Sequence, residues 1–132
     1  MDLIKFSIPG KAEYVGVVRL AVSSLANKSG FDVEAIEDIK IAVSEACTNA
    51  LIHGKTDCFC NYDVECIVEN NKITIKVTDC GKGYEKDNYV EPDCDEPKES
   101  GLGIYIINTL MDEVEIETND INGTSIKMCK YK

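Results

Sequence analysis

The sequence predicts an α+β fold, a two-layer α/β sandwich in which a mixed, mostly antiparallel sheet carries its helices on one face. Three observations predict it. Apolar residues recur at intervals of three and four through the first third of the chain, which is the period of a half-buried helix. They then alternate with polar residues over 62–68, 73–77, 114–118 and 124–130, which is the period of a strand. The outward positions of those strands are largely Glu, Asp and Lys, so one sheet face is left to water while the other needs a helical cover.

The elements follow in order. Residues 3–8 read as a short strand stopped by Pro9 and Gly10. Val15, Val18, Val22 and Leu25 mark a helix over 11–27, closed by Ser29 and Gly30. Asp32 is placed to cap the next helix, whose stripe is Ile36, Ile39, Val43, Ala46 and Ala50, and which runs to His53 before Gly54. Tyr62, Val64, Cys66 and Val68 form one strand, and Asn70-Asn71 a hairpin turn. Ile73, Ile75 and Val77 form the next, and parity puts Asp79 on their face. Residues 83–100 hold Pro92, Pro97 and an acidic run with little periodicity, as expected of a functional loop or lid. A helix is expected over 101–112, then strands at 114–118 and 124–130 about a turn at 119–123. One domain, 1–132, accounts for the whole pattern.

Charge narrows the function. The chain has 24 acidic and 14 basic residues and a net charge of -10, which argues against direct nucleic-acid binding by phosphate neutralisation. Arg19 is its single arginine among lysines, and only arginine presents a rigid planar fork to a carboxylate. The seven cysteines include no CxxC pair, so reduced structural thiols of a cytoplasmic protein are expected rather than zinc ligands. No signal peptide or membrane-length apolar run is read, so no membrane association is expected.

Three segments carry chemistry. Glu45, Asn49 and His53 fall at i, i+4 and i+8, one helix face over about two turns. An amide oxygen beside a carboxylate suits Mg²⁺, and the carboxylate can take a proton from a hydroxyl during phosphoryl transfer. Taken alone, such a face is more often an ordinary solvated one. Asp79 is a carboxylate on a core-facing strand position, costly without a bond to satisfy it. It suits an exocyclic amino group such as adenine's, or a strand-end turn with Gly81. Gly81 and Gly83 permit close approach of a ligand. Gly101-Leu102-Gly103-Ile104 reads as a small-residue loop opening a helix, where backbone N–H groups can hold phosphate.

Together these segments resemble the nucleotide-binding boxes of the GHKL ATPase superfamily, which has the Bergerat ATP-binding fold. Gly123-Thr124-Ser125-Ile126 resembles that family's later Gly-Thr element. Tyr14-Val-Gly-Val-Val-Arg19-Leu, Ile36-Glu-Asp-Ile-Lys-Ile-Ala-Val-Ser-Glu-Ala-Cys-Thr-Asn-Ala50 and Thr109-Leu-Met-Asp-Glu-Val114 resemble the bacterial anti-sigma factors that are serine-protein kinases, of the stress-response and sporulation type. The resemblance covers nearly the whole chain.

That resemblance implies roles. Glu45 matches the general base and Asn49 the Mg²⁺ ligand. Asp79 matches the acid that reads the adenine amino group, supported by Thr124. Gly81 and Gly83 shape the adenine pocket, and Gly101, Leu102, Gly103 and Ile104 match the phosphate loop. Arg19 falls on the arginine that contacts protein partners. The implied function is ATP-dependent phosphorylation of a serine on an anti-anti-sigma antagonist by a homodimer that also sequesters an alternative sigma factor. The alternative is a non-catalytic ATP/ADP-sensing module that switches partners, against which the retained Glu45 argues. The chain departs from the family pattern before Gly101, where the segment is short, acidic and without arginine. Charge compensation at the γ-phosphate then falls to Lys86, Lys98 or Mg²⁺.

Overall fold

A computed structural model describes residues 1–53, 61–79, 95–119 and 123–132, the backbone alone at 52–53, 95–101 and 119. Five strands are described: β1 (Asp2–Pro9), β2 (Asn61–Val68), β3 (Lys72–Thr78), β4 (Glu113–Asn119) and β5 (Gly123–Tyr131). They order as β1-β2-β3-β5-β4. The expected mixed, mostly antiparallel sheet is antiparallel at each of these pairings.

Register follows from burial. Ile4, Cys66, Ile75, Met128 and Val114 align across the five strands, as do Phe6, Val64, Val77, Ile126 and Ile116. These rows face the helices. The intervening row is Lys5, Glu65, Lys76, Lys127 and Glu115, on the face open to water. A slip of one residue would exchange the two faces, so the buried rows pin the pairing. The outer ion pairs, Lys5–Glu65 at 3.9 Å and Lys127–Glu115 at 3.8 Å, add little, because exposed pairs are worth roughly 0–1 kcal/mol.

Three helices are described in the layer over the sheet. A 3₁₀ turn, Ala12–Tyr14, leads into α1 (Val15–Lys28), so regular helix starts slightly later than the sequence pattern suggests. It buries Val18, Val22 and Ala26. Gly30, at φ +93°, ends it. Its N–H donates to the Asn27 carbonyl, and that of the buried Phe31 donates to Ala26, a Schellman arrangement that needs a left-handed residue at this point. α2 (Val33–His53) is capped as expected, Asp32 Oδ1 accepting from the Ala35 N–H at 2.8 Å.

The third helix, α3 (Asp95–Leu110), starts six residues before Gly101 and ends two before Asp112. The expectation of a loop through residue 100 and a helix over 101–112 is therefore corrected. Pro97 sits in the first turn of α3, where its missing N–H costs nothing. Proline marks a loop in the sequence pattern, whereas Pro97 is a helix-start signal here. The other end of α3 is held by Lys130, whose ammonium donates to the Leu110 carbonyl at 2.6 Å and meets Asp38 Oδ2 of α2 at 3.4 Å.

α2 lies between α1 and α3. Its Ile39, Ala42, Val43, Ala46, Cys47 and Ala50 are buried against the sheet, together with Ile107 of α3 and the sheet's inward rows. Truncating a residue such as Ile39, which is fully buried, would cost on the order of 2–5 kcal/mol.

Candidate functional site

One half of the site is built on the sheet. Asp79 follows the last residue of β3 and is 6% exposed, on the face of Ile73, Ile75 and Val77, as strand parity predicts. Its N–H donates to the Thr124 carbonyl at 3.0 Å. In a continuing antiparallel pair the return bond would run from the Thr124 N–H to a backbone carbonyl. Here that N–H donates to Asp79 Oδ1, also at 3.0 Å. The carboxylate thus closes the β3–β5 ladder, and a charge-assisted bond offsets part of its burial. Thr124 supports Asp79 through its backbone.

The other half is built on helices. Glu45 and Asn49 are half-buried on α2. They share a flank with Asp38, one helical heptad earlier, and Asp38 is the residue that meets Lys130 beside the end of α3. That flank faces α3. A Cβ added to Gly103 would lie 3.1 Å from Glu45 Oε1, so the backbone of the third segment already rests against the carboxylate of the first. Ile104 packs on the core while Leu102 is exposed.

The structure differs from the sequence reading in how it presents this third segment. Gly101 and Gly103 lie inside α3. A helix satisfies its interior N–H groups with its own carbonyls, so those of Gly101 and Gly103 are not presented to a phosphate in this conformation. Gly81, Gly83 and Lys86 lie outside the described residues, as do the side chains of His53 and Lys98. The described residues therefore pair Asp79 with Thr124 and Glu45 with Gly103, and give no account of the glycine pair between them.

Arg19 sits on the opposite side of α2. It is half-buried on α1, and its Nη1 donates to Ser44 Oγ at 2.9 Å. Ser44 precedes Glu45, about 100° round the helix, and so lies on the flank turned to α1. Cys47 lies on that flank too. Its thiol is pushed up to about 11, mainly by burial, with Tyr62 and the Arg19 charge pulling the other way. Burial likewise raises Cys66 to about 11 and raises Tyr62. The Tyr62 hydroxyl is buried facing the Cys47 thiol. Cys47, Cys66 and Cys129 are free and buried, which fits structural thiols.

The sequence reading passed over Ser44 and the Lys130–Asp38 contact. Helical spacing carried a signal for the first, since Ser44 borders the apolar stripe. The second joins residues 92 apart, and no local pattern signals it.

Among the described residues no group of three or more His, Cys, Asp or Glu is arranged to hold a metal. The donors present nevertheless fit Mg²⁺ bound with a nucleotide, because that ion keeps waters and phosphate oxygens and needs only one or two protein oxygens. Asn49 can supply one. No described helix is long and apolar enough to cross a membrane.

Comparison with known proteins gives the family. Residues 8–130 match the histidine kinase-like ATPase domain. The chain is 41% identical over 142 residues to the serine-protein kinase RsbW of Bacillus pumilus, covering 99% of this chain and 86% of that protein. It is 40% identical over 144 residues to the RsbW of Halalkalibacterium halodurans, covering 98% and 83%. The crystal structure of the RsbU and RsbW domains of a Mycobacterium tuberculosis protein superposes with a TM-score of 0.74 at 18% identity, covering 98% of this chain and 32% of that one. This last likeness speaks to fold.

Proposed function

The chain belongs to the histidine kinase-like ATPase family as a relative of the RsbW serine-protein kinases, and from that premise we propose that it is an ATP-dependent protein serine kinase and anti-sigma factor. It binds and inhibits an alternative sigma factor, and it phosphorylates a serine on the anti-anti-sigma antagonist. It acts in the cytoplasm as a homodimer, without contacting nucleic acid itself.

The observation that carries the kinase reading is the position of Glu45. Its carboxylate stands on α2 against Gly103, so the proton acceptor and the phosphate-side segment are neighbours. Glu45 takes the proton of the substrate serine as that oxygen gains the γ-phosphoryl group and ADP is released. Asn49 would hold Mg²⁺ through its amide oxygen, and the ion would supply charge compensation to the phosphates. Asp79, oriented by the Thr124 N–H, accepts from the adenine amino group, and Gly81 and Gly83 border the base. Gly101, Leu102, Gly103 and Ile104 contact the phosphates, which requires the first turns of α3 to open.

The test uses the purified chain, labelled ATP, Mg²⁺ and the cognate antagonist. Serine labelling of the antagonist is expected. Normal ATP binding without labelling would leave a nucleotide-sensing binding module and remove the kinase.

A further inference from the structure

The geometry points to Ser44 as the positioning residue that holds the Arg19 guanidinium ready for a carboxylate on a protein partner. This rests on the reading of Arg19 as a partner contact. Three observations carry it.

First, Ser44 Oγ accepts from Arg19 Nη1 at 2.9 Å across the α1–α2 seam, 25 residues apart in sequence. Second, the anchor is neutral. Arg19 makes no ion pair with a carboxylate among the described residues, although the chain as a whole carries a net charge of -10. An arginine tied to an internal carboxylate would have to break that pair before binding another. One tied to a hydroxyl is oriented with its charge intact, and the guanidinium keeps other N–H donors for a bidentate contact. Third, the surroundings suit a protein surface. Leu20, next to Arg19 in sequence, is exposed on α1, and Ile41, one turn before Ser44, is exposed on α2; apolar groups around an arginine are a composition common at binding hot spots.

The anchor also has a consequence for the reaction. Ser44 and Glu45 are consecutive, so the anchor of the partner contact and the proton acceptor ride on the same turn of α2, on its two flanks. A partner seated on Arg19 is thereby registered against the helix that carries the base.

Ser44→Ala, Arg19→Ala and the double variant, each in the full chain, test the assignment with the cognate antagonist as probe. Loss of orientation of one long side chain corresponds to roughly a 2–10-fold weaker complex. Ser44→Ala should therefore raise the KM for the antagonist by about that factor, as a KM effect rather than a kcat effect, with ATP affinity and Tm unmoved. Arg19→Ala should raise KM further. The double variant should be no worse than Arg19→Ala, since Ser44 acts only through Arg19. Ser44→Thr, which keeps the hydroxyl, should restore the parent value. If Arg19→Ala raises KM and Ser44→Ala does not, or if the two losses add, the positioning role is overturned while the partner reading stands. If Arg19→Ala leaves KM unchanged, the partner reading itself falls.

Discussion

The adenine-side and phosphate-side halves of the proposed site are held by different means. Asp79 is locked into the β3–β5 ladder by two hydrogen bonds to Thr124 at 3.0 Å, on a strand whose neighbours are fully buried. Gly101 and Gly103 lie in the first three turns of α3, where each glycine costs about 0.8–1.0 kcal/mol of helix stability relative to alanine. The carboxylate is fixed before a ligand arrives. The phosphate segment sits in a conformation that a ligand has to change. On the proposed reading, base recognition is thus a preformed contact, and phosphate binding is coupled to a local helix–loop equilibrium.

The largest expected effect falls where the two halves meet the chemistry. Glu45→Ala should lower serine phosphorylation by about 10²–10⁴-fold, the usual contribution of a positioned acid–base group, with ATP affinity retained. Equilibrium binding and single-turnover labelling measure the two separately. A parallel collapse of ATP binding would mean that Glu45 holds the nucleotide rather than the proton. Next comes the rigid half. Asp79→Asn still offers an oxygen to the Thr124 N–H, so the fold should survive. It also presents an amide donor where the adenine amino group donates. ATP affinity should fall about 10–100-fold, equivalent to roughly 1–3 kcal/mol for a buried donor left unmatched, and GTP affinity should fall less. Equal affinities in variant and parent would remove Asp79 from base recognition.

The same contrast explains what could be read from sequence. Parity along Ile73, Ile75, Val77 and Asp79 is a property of the strand itself, so the inward carboxylate was legible and only its partner atom, the Thr124 N–H, was not. Helix spacing likewise placed Glu45 and Asn49 on one face. The conformation of Gly101-Leu102-Gly103 was not legible, because glycine is compatible with both a phosphate loop and a weak helix, and the decision lies in the residues before it. Pro97 can mark a loop or open a helix, and Asp95 and Glu96 favour the second. The long-range ties, Arg19 to Ser44 and Lys130 to Asp38, belong to helix packing, which periodicity alone does not specify.

The contrast recurs along α3 itself, and Lys130 tests it. The ammonium caps the Leu110 carbonyl at 2.6 Å and its side chain is 15% exposed, so Lys130→Met leaves that carbonyl and Asp38 without their cation. A loss of about 1–3 kcal/mol in urea denaturation is expected. ATP affinity measured well below the transition should change little, because the glycine turns open independently of the anchored end. A matching loss of ATP affinity would show that α3 moves as one rigid piece, and the contrast between its ends would fail.

The smallest effects come from the glycines, and their signs are the informative part. Gly101→Ala favours the long helix, so stability should rise by up to about 1 kcal/mol. ATP affinity should fall by up to about 5-fold, because opening the helix for phosphate now costs that much more. Gly103→Ala adds the same propensity but also a methyl group 3.1 Å from Glu45 Oε1. A carboxylate end can move a few tenths of an ångström at little cost, so the stability gain should be smaller than at Gly101. The moved carboxylate should also lower turnover, which Gly101→Ala should do less. Circular dichroism of the parent should lose helical signal on adding ATP, and Gly101→Ala should need more ATP to lose it. If helicity is unchanged by ATP in both, α3 keeps its first turns in the bound state, and the phosphates are then held by residues other than Gly101 and Gly103.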